Sequence, residues 1–143
     1  MRVLVINGPN LNLLGQRETS LYGEQSLDDI NQALREIAQQ KQVEIDFFQS
    51  NHEGVLVDRI QQAQGSVDAF IINAGALTHY SIALLDALKA VQIPFVEVHL
   101  TNIYAREDFR HRSLLSPAAR GGIFGLGADA YSLALLAICG WVK

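Results

Sequence analysis

Short apolar runs alternate with helical periodicity from one end of this chain to the other, and few folds accept that alternation. The runs are residues 3–6, 43–48, 69–72, 95–100 and a weaker 122–124. Each is short and continuous, as in strands covered on both faces. Between the first and second, Leu27, Ile30, Leu34 and Ile37 recur at helical spacing, behind the capping-box pair Ser26 and Asp29. Ser50-Asn51-His52-Glu53 reads as a second capping box ahead of Val55, Leu56, Ile60 and Ala63. Thr78 is the expected cap of a helix carrying Ile82, Leu85, Leu88 and Val91. A last helix is expected from about Asp129 through Leu133, Leu136 and Ala137. Strands that alternate with helices give an α/β domain with a parallel sheet and right-handed crossovers.

Five strands in 143 residues suit a single domain over 1–143. By analogy of fold, they suit the doubly wound, flavodoxin-like order 2-1-3-4-5 with helices on both faces. Ligands in such sheets bind beyond the carboxyl ends of the strands. Those ends carry Asn7-Gly8-Pro9-Asn10, Ser50 to Glu53, Asn73-Ala74-Gly75 and His99-Leu100-Thr101-Asn102. Any one of these segments serves equally well as a turn or a helix cap. Four of them on one rim point to a site.

Composition narrows the class of protein. An apolar content of 49% fills a core, and a net charge of −4 disfavours nucleic acid and anionic membranes as partners. No apolar run reaches the roughly 20 residues of a membrane helix. The N-terminal residues lack the order of a signal peptide. A lone cysteine, Cys139, reads as a buried apolar residue and suits a reducing cytosol. These features lead to the expectation of a cytoplasmic protein.

The residues able to carry chemistry fall near the strand ends. Arg17 and Tyr22 lie in one loop between Gly15 and Gly23. They are either an aromatic staple beside a solvated cation, or a phenol whose anion the guanidinium favours and which then acts as a base. Glu97 and His99 share one face of the fourth strand by its period of two. They form a satisfied core pair, an acid with its orienting carboxylate, or both. Arg106 and Arg110, four apart, share a face if that segment is helical, as a solvated face or as donors to an anionic or polyhydroxylated ligand. His79 and Asp86 are seven apart on the expected third helix and match no metal motif.

Other chemistries lack their signatures. There is no GxxxxGK[ST] loop and no GxGxxG fingerprint, and Gly121 to Gly127 matches neither. The third strand ends in Asn73, not in a phosphoacceptor aspartate. Lys41, Lys89 and Lys143 fall at surface or terminal positions, away from the strand ends, which disfavours Schiff-base chemistry. Four histidines and one cysteine without ligand spacing argue against zinc.

In Asn7-Gly8-Pro9-Asn10-Leu11, Arg17-Glu18, Tyr22-Gly23, Asn73-Ala74-Gly75 through Thr78-His79, and Glu97-Val98-His99 through Ala105-Arg106 to Arg110, the chain closely resembles the type II 3-dehydroquinate dehydratases. The resemblance runs nearly end to end. It implies a flavodoxin-like fold, no metal or organic cofactor, and trans elimination of water from 3-dehydroquinate to 3-dehydroshikimate in the shikimate pathway. It further implies Tyr22 as general base, Arg17 as its activating cation, His99 as general acid and Asn10 as an enolate stabiliser acting through a water. Asn73, His79 and Arg110 match contacts to substrate oxygens, and the main chain at Leu100 and Thr101 matches a carboxylate site. Glu97 and Arg106 match supporting residues. Asp86 matches a residue that reaches a neighbouring subunit's site in a dodecamer, a tetramer of trimers. The chain departs from the usual pattern at Thr19, where proline commonly follows Arg-Glu, at Ala74 and Leu77, where proline and tyrosine are commoner, and at Leu85, where arginine is frequent. A non-catalytic flavodoxin-like domain binding a small anion is the alternative of a different class.

Overall fold

The structure is a computed structural model that describes residues 1–141; Val142 and Lys143, the latter read above as terminal, lie outside the described residues. In chain order the elements are β1 (Arg2–Asn7), α1 (Thr19–Tyr22), α2 (Leu27–Lys41), β2 (Glu44–Gln49) and α3 (Glu53–Gln62). There follow β3 (Ala69–Asn73), α4 (Ile82–Val91), β4 (Phe95–His99), β5 (Gly121–Phe124) and α5 (Asp129–Cys139). All strand pairings are parallel, in the order β2-β1-β3-β4-β5.

The strands alternate side chains between two buried layers, which is why their sequences read as continuous apolar runs. Val3, Val5, Ile71 and Val98 face Leu34 of α2 and Tyr131 and Leu135 of α5. Leu4, Ile6, Phe70 and Ile72 face Leu56 and Ile60 of α3 and Leu84 and Leu88 of α4. The register sets Asn7 beside both Gln49 and Asn73, so three strands end on one line. Gly8 makes that line compact. Its N–H donates to the Asn73 carbonyl at 2.8 Å. A Cβ at this position would sit 2.4 Å from the Ala74 carbonyl oxygen.

Several local expectations change. The capping box of Ser26 and Asp29 forms. The one expected at Ser50 to Glu53 does not: His52 is the N-cap of α3 without a side-chain bond, and Ser50 Oγ accepts from the His52 N–H instead. Glu53 is engaged elsewhere, accepting the Ser81 hydroxyl at 2.5 Å. Nor does Thr78 cap α4. A 3-10 turn, Gly75–His79, intervenes, and Ser81 takes the cap by accepting from the Leu84 N–H.

This turn also separates His79 from the helix that carries Asp86, so the two do not share a helical face. Arg106 and Arg110 are not on one helix either. Two 3-10 turns, Ile103–Ala105 and Asp108–Arg110, break the segment, the first capped by Asn102. On α5 the buried face is Ala130, Tyr131, Ala134, Leu135 and Ile138, while Leu133, Leu136 and Ala137 are exposed. That helix is apolar nearly all round, so its periodicity does not select a face. Among the described residues no helix is long and apolar enough to cross a membrane.

Candidate active site

A cavity of about 120 Å³ opens beyond the carboxyl ends of β1, β3 and β4. Its polar lining comes from five places: Asn10 after β1, Arg17 and Tyr22 from the following loop, Asn73 and His79 at and after β3, His99 to Thr101 ending β4, and Arg106 and Arg110 beyond it. Three arginines and two histidines line it, with no carboxylate among the lining residues. A chain with a net charge of −4 thus presents a cationic pocket, which suits an anion.

The β4 side is built into the sheet. His99 and Glu97 point to the same side of the strand and are 7% and 2% exposed. His99 Nε2 bonds Glu97 Oε2 at 2.5 Å, and no protein partner engages Nδ1 among the described residues. Ser113 and Ser116 each donate to the other carboxylate oxygen at 2.8 Å, and the Thr78 hydroxyl reaches Oε2 at 3.4 Å. Burial pushes the Glu97 carboxyl up, but the bonds from His99, Ser113 and Ser116 outweigh it and hold the group below its ordinary value. The carboxylate is therefore ionised and, through its bond to Nε2, fixes the orientation of the ring.

The loop side is built differently. Tyr22 ends α1, a single helical turn started by Glu18 in the left-handed region at φ 40°. Two guanidiniums meet at its oxygen, Arg106 donating at 3.0 Å and Arg17 at 3.2 Å. Both also lie over the ring, 5.4 and 4.7 Å from its centroid. The oxygen thus accepts from two cationic donors at once. Arg106 also reaches Thr101 Oγ1 at 3.3 Å, tying the loop to the end of β4. Sequence reasoning assigned this task to Arg17 alone, because Arg106 is 84 positions from Tyr22.

The remaining groups are donors and acceptors with fixed senses. The carbonyl of Arg112 can only accept, so His79 Nδ1 donates to it at 2.8 Å and Nε2 is left as an acceptor. Burial lowers the affinity of the His79 ring for a second proton. The rings of His79 and His99 stack at 6.4 Å. The N–H groups of Leu100 and Thr101 have no acceptor among the described residues, whereas both carbonyls are taken by Gly127 and Gly125. Asn10 adopts φ 70° and is held by its own N–H on Asn51 Oδ1, which frees its side chain. Arg110 pairs with Glu107 at 2.6 Å.

Asp86 is exposed on α4 and does not line this cavity. Among the described residues no group of three His, Cys, Asp or Glu side chains is placed to hold a metal ion. Ser113, Ser116 and Tyr131 were missed from the sequence. A tyrosine inside an otherwise apolar helix is a legible signal, since its hydroxyl needs a partner. Serines in an irregular loop give none.

A doubly wound sheet with a phenol held by two guanidiniums and a buried His–Glu pair at its carboxyl edge defines a polar site suited to a small anion. The chain matches the family model described as "Dehydroquinase class II" over residues 1–139. A 3-dehydroquinate dehydratase of Synechococcus sp. (strain WH7803) is 60% identical over 134 residues, spanning 94% of this chain and 91% of that protein. Among solved structures, a type II dehydroquinase from Butyrivibrio crossotus superposes with a TM-score of 0.94 at 43% identity, covering 98% of this chain and 97% of the other. One from Propionibacterium acnes gives 0.93 at 40% identity, with 97% and 96% covered. The chain belongs to the class II dehydroquinase family.

Proposed function

We propose that this chain, as a single catalytic domain over 1–143, is a hydro-lyase converting 3-dehydroquinate to 3-dehydroshikimate through an enolate in the shikimate pathway. One observation carries the reading: a phenol oxygen shared by two guanidiniums and a histidine paired with a buried glutamate line one pocket that has no carboxylate in its lining. Removing a proton next to a ketone needs a base and a stabilised enolate, and expelling a hydroxyl needs an acid. Tyr22, its oxygen held by Arg17 and Arg106, takes the C2 proton as general base. Asn10 stabilises the enolate through a water. The enolate then expels the C1 hydroxyl, which leaves as water with a proton from His99, oriented by Glu97.

The free N–H groups of Leu100 and Thr101 bind the substrate carboxylate. Asn73, His79 and Arg110 hold its other oxygens. The exposed position of Asp86 fits a role in a neighbouring subunit's site, within a dodecamer built as a tetramer of trimers in the cytoplasm.

The test follows enone absorbance after 3-dehydroquinate is added to chelator-treated protein. Turnover is expected without added metal or cofactor. A folded oligomer inactive over a broad pH range would sink the reading. Sedimentation that found only monomer would contradict the assembly, and Asp86→Ala is expected to lower activity without altering the fold of the subunit.

A further inference from the structure

Beneath the pocket, the hydroxyl of Tyr131 joins the ends of β1 and β3. The residue is fully buried on α5 and outside the cavity lining. Its O–H donates to Asn7 Oδ1 at 2.6 Å, and it accepts from Asn73 Nδ2 at 2.8 Å. Asn73 Oδ1 in turn accepts from the Gly75 N–H at 3.2 Å.

The directions in this chain of bonds are forced. A backbone N–H can only donate, so Asn73 must turn its oxygen to Gly75 and its NH₂ to Tyr131. A phenol has one proton; with Asn73 donating to it, that proton goes to Asn7. Burial raises the affinity of the Tyr131 hydroxyl for its proton, so it stays a donor. The amide of Asn73 is thereby locked against a flip, and its second N–H has one direction left.

We infer that Tyr131 is a positioning residue: it fixes the amide of Asn73 so that the pocket presents a donor of set direction to a substrate hydroxyl or carbonyl oxygen. The inference rests on the proposed dehydratase reading for the identity of the ligand. An alternative purely structural role, filling the core between α5 and the sheet, needs the ring but not the hydroxyl.

The experiment is a double-mutant cycle of Tyr131→Phe and Asn73→Ala, read as KM and kcat with 3-dehydroquinate. Tyr131→Phe keeps the ring and loses the lock. KM is expected to rise about tenfold, the equivalent of one neutral hydrogen bond, with kcat changed less than KM. In the Asn73→Ala background the same change is expected to do nothing further to KM.

Ile138→Val, a buried change on the same helix, serves as the control for stability alone. It is expected to lower the melting temperature and leave KM as it was. If Tyr131→Phe fails to fold, Asn7→Ala frees the phenol proton without touching the ring, and KM is again expected to rise. An unchanged KM in the folded variant, or equal effects of Tyr131→Phe with and without Asn73, would overturn the inference. Absence of turnover in the unmodified protein is a different result, and removes the dehydratase reading on which the inference stands.

Discussion

The two walls of the pocket are made in opposite ways. His99 projects from a central strand, its carboxylate partner is fully enclosed, and four side-chain donors saturate that carboxylate. Tyr22 sits on one helical turn in a loop, part-buried, and among the described residues its oxygen is held by two long arginine side chains alone. The first wall is assembled by folding and has no freedom to move without breaking the sheet. The second depends on two side-chain contacts that can be broken without disturbing the sheet. A site that must admit substrate and then exclude water needs both: a fixed wall to set geometry and a movable one to close over it.

Removing the proposed base and the proposed acid, one from each wall, tests the comparison at its largest amplitude. Tyr22→Phe is expected to lower kcat by roughly 10³-fold or more while binding of a non-reactive substrate analogue stays within a few-fold. Near-normal turnover would show that the base lies elsewhere. His99→Ala is expected to cost about 10²–10³-fold, since water can still supply the departing group with a proton. Equal losses in both would blur the distinction between a base without substitute and an acid with one.

A smaller change separates rigidity from chemistry. Glu97→Gln leaves the imidazole in place but removes the charge that orients it, so kcat is expected to fall by about 10–100-fold. Stability carries a second readout. The Glu97 carboxyl is held below its ordinary value of 4.5, so its contribution is present above that pH and is lost as pH falls from about 4.5 through the lowered value. Urea unfolding of the unmodified protein is expected to weaken across that interval, and the Gln variant to weaken less steeply. Identical slopes would show that the buried carboxylate gains nothing from its donors.

The fixed wall was the more legible of the two. Period two in residues 95–99 put Glu97 and His99 on one side of a strand, and the alternation of runs gave the sheet that buries them. What the sequence did not display was everything supplied across loops. Ser113 and Ser116 lie 16 and 19 positions from the glutamate they saturate, and Arg106 lies 84 from the tyrosine it touches. Such pairings depend on where an irregular segment returns, and neither periodicity nor capping chemistry specifies that. The helical reading of Arg106 and Arg110 failed for a related reason: Asn102 caps a 3-10 turn at the strand end and interrupts the spacing. On α5 an excess of apolar residues hid the buried face. Only the hydroxyl of Tyr131 marked it.

The finest test acts on the backbone of the movable wall. Glu18 holds φ 40° and ψ 50°, a left-handed conformation that costs a non-glycine residue about 1–2 kcal/mol. Thr19 opens α1, a first helical position where proline is ordinarily welcome. Yet the ring of a proline restricts the residue before it to extended backbone, which Glu18 does not adopt here. Thr19→Pro, restoring the residue common in the family, is therefore expected to move Glu18 to an extended conformation and re-aim the turn that carries Tyr22. The effect expected is about a threefold change in kcat/KM, with altered protease cutting between residues 15 and 23, because the strain relieved is of the order of 1 kcal/mol. Arg106 links this turn to Thr101, but no hydrogen bond joins the turn to His99 or Glu97 among the described residues, so the pH dependence of unfolding is expected to stay unchanged. If Thr19→Pro shifted that dependence as well, the two walls would be coupled, and the division between a fixed and a movable half would fail.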